Sequence, residues 1–202
     1  YSPDGKKIAY AANDREPTDQ DVIIYDVATG ERIRITEGSL YFPVEWSPDN
    51  RYLTLIQVFS NTDQNIVVYD SQNGELTNTT PHEGQIIYFA GSWSPDSAGF
   101  YLISNEGREF SGLAYYRLAD KNRSWVETPD HDIEGVNVAK KSPVLVITVN
   151  QDGASKLQAR NLTTSESIPV PEMPLGVIGG ATIASSGDKL ALVFARPGEA
   201  SN

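Results

Sequence analysis

The side chains of this 202-residue chain that could do chemistry are few, and their spacing excludes most reaction types. A serine hydrolase needs an exposed nucleophile on a Gly-x-Ser-x-Gly elbow, followed by an acid and a histidine. No such pentapeptide occurs: Ser111-Gly112 follows Phe110, and Ser186-Gly187 reads as part of a turn. His82 and His131 are the only histidines, and neither has a second histidine at metal-ligand spacing. There is no cysteine, which removes thiol nucleophiles, thiolate metal sites and disulfide scaffolds together. No glycine-rich phosphate loop links a strand to a helix. The reading is therefore no catalytic residue, no metal and no cofactor. One polar stretch remains, Asn105-Glu106-Gly107-Arg108-Glu109, where Arg108 and Glu109 are the candidate substrate-binding pair.

Whatever these residues do depends on the elements that hold them, and those elements repeat. Tyr1-Ser2-Pro3-Asp4-Gly5, Trp46-Ser47-Pro48-Asp49-Asn50 and Trp93-Ser94-Pro95-Asp96-Ser97 are near-copies, starting 45 and 47 residues apart. Tyr25-Asp26 and Tyr69-Asp70 give a period of 44 from a separate landmark. Proline pre-sets φ at the second turn position, the aspartate bonds back to the local backbone, and Gly or Asn tolerates φ > 0. Alternating apolar residues flank each copy, so each reads as a tight turn between two antiparallel strands.

In the first unit, Lys7–Ala11, Asp21–Asp26 and Arg32–Thr36 read as strands around a polar loop over 13–20. Phe42–Trp46, Tyr52–Val58 and Asn65–Asp70 follow in the second. Ile86–Trp93, Phe100–Ser104, Leu113–Leu118 and Ser124–Thr128 make the third. Ile133–Ala139, Val144–Asn150, Lys156–Asn161 and Ile168–Val170 make the fourth, whose turn Lys140-Lys141-Ser142-Pro143 has lost its aspartate. The fifth runs Gly176–Ala184 and Leu190–Phe194. Gly179-Gly180 falls in its inner strand, where close packing near an axis is expected.

Four strands per unit, a period near 45 and no helical periodicity predict an all-β fold, a β-propeller of four-stranded blades. A β-sandwich is the rival, but it offers no reason for one motif to return at this interval. The blades are expected at 1–37 (partial), 38–80, 81–128, 129–172 and 173–202 (partial). That is about 4.5 repeats, an incomplete fragment of a larger propeller.

The formal net charge of −11 argues against nucleic acid and anionic membranes as partners, since a basic stripe is what binds them. No apolar run is long enough to span a bilayer as a helix. Asn78-Thr79-Thr80, Asn122-Arg123-Ser124 and Asn161-Leu162-Thr163 match the glycosylation acceptor pattern, which arises readily by chance in turn-rich strands. A cysteine-free chain is compatible with the cytoplasm, the expected location, with the periplasm as the alternative.

The repeats resemble the Trp-Ser-Pro-Asp-Gly blades of Tol-type propellers and of the prolyl oligopeptidase family of serine peptidases (acylaminoacyl-peptidase- and dipeptidyl-peptidase-like). The second half is similar to the latter through Ser104–Phe110 with Leu113-Ala114-Tyr115-Tyr116, and through Trp125 with Asp132-Ile133-Glu134-Gly135. Val149-Asn150-Gln151-Asp152-Gly153-Ala154-Ser155-Lys156-Leu157, Pro174–Ile178 and Ala195-Arg196-Pro197 continue the series. The resemblance implies a non-catalytic propeller that gates peptide access to an α/β-hydrolase domain absent from this chain. Its implied partners are that domain and peptides. The Tol-type alternative implies a protein-interaction platform in the bacterial envelope. Some peptidase relatives bind a peptide amino terminus with two adjacent glutamates; Glu106 and Glu109 stand three apart and do not reproduce that pair.

Overall fold

The computed structural model describes residues 1–198, and all regular structure among them is β. The first sheet holds β1 (Lys7–Ala12), β2 (Asp21–Asp26) and β3 (Arg32–Arg34). The second holds β4 (Leu40–Trp46), β5 (Tyr52–Ser60), β6 (Asp63–Asp70) and β7 (Leu76–Asn78). β8 (Tyr88–Trp93), β9 (Gly99–Ser104), β10 (Gly112–Arg117) and β11 (Asn122–Glu127) form the third. The fourth contains β12 (Ile133–Val138), β13 (Val144–Gln151), β14 (Ala154–Asn161) and β15 (Ser167–Ile168). β16 (Val177–Ile183) and β17 (Leu190–Ala195) make the fifth. Every pairing within a sheet is antiparallel between strands adjacent in sequence, and the first strands β4, β8, β12 and β16 touch in succession. This is the radial stack of a β-propeller.

The middle strands explain why the sheets stack. Phe100-Tyr101-Leu102-Ile103 and Leu145-Val146-Ile147 are buried along their length, the signature of a strand covered on both faces. Because side chains alternate, one strand feeds two cores. Phe100 and Leu102 pack with Ile66, Val68 and Trp93 in the seam between blades 2 and 3. Tyr101 and Ile103 pack with Ile133, Val138 and Ile147 in the seam between blades 3 and 4. Val22 and Ile24 meet Trp46, Leu55 and Tyr69 in the first seam. Each such side chain contributes roughly 1.5–3 kcal/mol on burial, so the seams are where the blades cohere.

The repeated turn is built as the sequence implies. Ser47 N–H donates to the Tyr52 carbonyl, Ser47 Oγ donates to Asp49 at 2.5 Å, and Tyr52 N–H donates to Ser47 Oγ at 2.8 Å. Gly5, Asn50, Ser97 and Gly187 occupy the same left-handed position, with φ of 73°, 64°, 58° and 82°. Ser142 stands there in blade 4 but does not share that conformation, because the following Pro143 disfavours it.

Two details differ from expectation. Ile86 and Ile87 are not in the inner strand: the Ile86 carbonyl accepts Gln64 N–H and Ile87 N–H donates to Asn105 Oδ1, which ties the connection to both blades instead. The close packing expected at Gly179-Gly180 is not there, since a Cβ on Gly180 would meet nothing within 4 Å. It occurs at Gly91, where a Cβ would lie 2.2 Å from Val136 Cγ1 of the next blade.

Candidate functional face

Antiparallel order places the Ser-Pro-Asp turns at one end of the sheets. The loops between second and third strands, and the links between blades, lie at the other end. That second end gathers the polar residues singled out from sequence, and the structure gives most of them structural partners. Arg108 Nε donates to the Phe110 carbonyl at 3.3 Å and Nη2 to the Pro129 carbonyl at 3.1 Å, and its guanidinium lies 5.8 Å from the Trp125 ring. Ser111 donates through N–H and Oγ to Asp132 Oδ1, both at 2.8 Å, and the Phe110 and His131 rings approach to 6.4 Å. The loop after β9 and the link into β12 thus form one surface. Glu109 is exposed on it and makes no ion pair among the described residues. Glu106 is paired with Arg123.

The other members of the rim are likewise held by neighbouring groups, and Gln20 N–H donates across to the Ser39 carbonyl at 3.0 Å. His82, its side chain 5% exposed, sets Nδ1 against the Thr80 carbonyl at 2.8 Å and Nε2 against Asp63 at 3.2 Å. Asp21 is fully buried and accepts from Arg15 at 2.8 Å and Arg34 at 2.7 Å; Arg15 also holds Asp19, and Arg34 holds Asp14. The Arg15 hydrogen bond is the main reason the Asp21 carboxyl sits below the usual carboxylate range. Neither histidine shares a hydrogen bond with a serine among the described residues. No group of three or more His, Asp or Glu there is arranged to hold a metal ion.

Sequence reasoning missed a contact at the turn end. Glu45, in the inner strand β4, accepts Trp93 N–H at 3.2 Å through Oε2 and pairs with Lys140 Nζ at 3.3 Å through Oε1. Lys140 belongs to the turn of blade 4, so this pair passes blade 3 and ties blade 2 to blade 4 between inner strands. Nothing local signals it, because residues 95 positions apart meet only when the sheets are wound radially. The altered turn that supplies Lys140 was visible, but not what it would reach.

No family model matches the sequence. Among curated proteins, dipeptidyl-peptidase 5 of Porphyromonas gingivalis is 27% identical over 116 residues, covering 52% of this chain and 17% of that protein. Among solved structures, prolyl oligopeptidase B from Galerina marginata matches 96% of this chain with a TM-score of 0.79 at 13% identity, over 29% of its own length. TolB from Acinetobacter baumannii matches 97% with a TM-score of 0.72 at 15% identity, over 49% of its length. The chain therefore spans less than half of each of these three proteins. Its blades are those of a β-propeller similar to the propeller regions of prolyl oligopeptidase and TolB.

Proposed function

We propose that the chain is the propeller portion of a prolyl oligopeptidase-like serine peptidase, gating peptides toward an α/β-hydrolase domain and doing no chemistry itself. The likeness to a dipeptidyl-peptidase over half the chain carries this reading, since the fold is shared equally with TolB. Two features support it. The described residues bring no histidine to a serine, and the Glu45–Lys140 pair lies between inner strands, where a passage along the axis would be narrowed. On the opposite end, Glu109 is an exposed carboxylate available to a peptide amino group, with Arg108 bracing its loop. A cytoplasmic location accompanies this reading.

The full TolB match supports a second reading, an interaction platform in the periplasm. The reading frame on both sides of this stretch separates the two. A downstream Gly-x-Ser-x-Gly hydrolase domain supports the peptidase, whereas an export signal with no hydrolase supports the platform. The purified chain is expected not to cleave chromogenic peptidyl or ester substrates. Turnover that a serine-directed inhibitor abolishes would overturn the assignment.

A further inference from the structure

The seam between blades 3 and 4 leaves a cleft of about 430 Å³ at its turn end, within the size range of small-ligand sites. Its floor is apolar. The Tyr101 and Tyr115 rings meet with centroids 4.9 Å apart, and Tyr101 also belongs to the core between the two blades. Leu162 and Pro143 complete the floor, and Leu162 N–H donates to the Pro143 carbonyl at 2.7 Å. These residues come from β9, β10 and the turns of blade 4, so regular structure holds the floor in place.

Two opposite charges stand on this cleft without pairing. Asp96 and Lys141 both line it, yet neither forms an ion pair among the described residues. Asp96 is fixed by its own turn. Its Oδ1 accepts Ser94 Oγ at 2.6 Å and Ala98 N–H at 3.0 Å, and these bonds hold the carboxyl below its usual range. Oδ2 carries no hydrogen bond among the described residues. Lys141 is exposed, and its backbone N–H is tied to the Ser185 carbonyl at 2.8 Å, so the root of the side chain is anchored while the ammonium is not. The neighbouring charges are used internally: Arg51 pairs with Asp70, and Lys140 with Glu45.

Donors are unspent here as well. Tyr115 Oη donates to Ser94 Oγ at 3.2 Å, whereas Tyr101 Oη, in a residue only 8% exposed, makes no hydrogen bond among the described residues. Asp96 N–H lacks an acceptor in the next blade, although Asp49 N–H finds Ser97 Oγ in the preceding seam.

We propose that this cleft binds an apolar zwitterion, an α-amino acid or short peptide with both ends free. Its ammonium faces Asp96 Oδ2, its carboxylate takes Lys141 and the Tyr101 hydroxyl, and its side chain lies on Tyr115 and Leu162. A simple anion is repelled by Asp96 and a simple cation by Lys141. A ligand carrying both charges complements both, through charge-assisted hydrogen bonds. An amino acid and a dipeptide share this chemistry and differ in the distance between their charges. The cleft lies at the opposite end of the blades from Glu109, so it stands independently of the peptide contact proposed there.

The test is an NMR titration of the 202-residue chain with leucine, leucyl-leucine, and leucyl-leucine blocked by N-acetylation or by C-terminal amidation. Saturable amide shifts are expected at Asp96, Lys141, Leu162 and Thr163, all on the cleft. Each block should weaken the dipeptide by about fivefold or more. Asp96→Asn should abolish the penalty for acetylation, and Lys141→Met the penalty for amidation, each leaving the other penalty in place. If Asp96→Asn unsettles its turn, Lys141→Met and the blocked ligands still decide the matter. Tighter binding of leucine than of leucyl-leucine assigns the site to a free amino acid, and the reverse order to a peptide. The proposal is overturned if no ligand gives saturable shifts at these amides, if the blocked dipeptides bind as well as the free one, or if neither variant alters the effect of its block.

Discussion

The seam between blades 2 and 3 and the seam between blades 3 and 4 use the same strands in different ways. The first is locked at its turn end. Trp93 is stacked on Tyr52 and bonded to Glu45, and Asp49 N–H donates to Ser97 Oγ at 3.1 Å across the seam. A matching latch joins blades 1 and 2, where Asp4 N–H donates to Asn50 Oδ1 at 2.9 Å. Between blades 3 and 4 the series is interrupted, and a turn contact returns between blades 4 and 5, where Lys141 N–H donates to the Ser185 carbonyl at 2.8 Å. Val138 stands where Trp93 does, and Asp96 N–H has no acceptor in the next blade. Ser142 sits at the latch position with its hydroxyl buried and unpartnered, close against Gly187. Beside it opens a cleft of about 430 Å³ lined by Asp96, Tyr101, Tyr115, Lys141, Pro143 and Leu162. At the turn end of this otherwise packed seam, the altered turn leaves a cleft where the two preceding seams carry a latch.

The contrast is broken most severely through the tryptophan. Trp93→Ala should cost about 3–5 kcal/mol in urea denaturation, from lost burial and the cavity left behind. Val138→Ala should cost about 2 kcal/mol, on roughly 0.8 kcal/mol per buried methylene plus a smaller cavity. Equal losses would mean the two seams are equally tight.

A smaller effect, visible through pH, belongs to the locked seam. Arg51 forks onto Asp70 at 2.7–3.2 Å, and this hydrogen bonding is the leading cause of the depressed Asp70 pKa. A carboxyl lowered in the folded state contributes stability that is present above its unfolded value, near 4, and lost as pH falls through the folded value. Asp70→Asn should therefore lower Tm at pH 7, with the two curves converging below about pH 3. A constant difference from pH 7 to pH 2 would remove the pair from the account.

Next comes the latch itself. Ser97→Gly keeps the left-handed turn but removes the acceptor, and should cost about 1 kcal/mol. Ser142→Ala deletes a hydroxyl that has no partner, so denaturation should show no loss or a slight gain. A change also small is expected at the contact joining blades 2 and 4. Lys140→Met, in a half-exposed pair, should shift stability by no more than about 1 kcal/mol, and less at high salt.

Much of this architecture was legible because it is periodic. The Ser-Pro-Asp turns, the Tyr25 and Tyr69 strands and the apolar run Phe100–Ile103 each report local geometry, and local geometry is what residue types encode directly. The interactions between blades were not legible in the same way. Asn50 and Ser97 look like turn residues chosen for φ > 0, and their side-chain role in the neighbouring turn appears only once the sheets are stacked. Glu45 and Lys140 carry no local pattern at all. At the opposite end, the polar loop Asn105–Glu109 stood out in the sequence, but not that the Arg108 guanidinium would be spent on the Phe110 and Pro129 carbonyls. Lys141 and Pro143 were visible as departures from the repeat, and the structure shows why such departures matter. They locate the seam whose turn end carries a cleft in place of a latch.

Amide hydrogen exchange at Asp49 and Asp96 tests that interruption most directly. The two residues hold the same position in adjacent turns and differ in whether the next blade supplies an acceptor. Asp49 N–H is predicted to exchange at least about tenfold more slowly than Asp96 N–H under native conditions. Equal rates, or slower exchange at Asp96, would contradict the claim that the lock between blades is interrupted at the third seam.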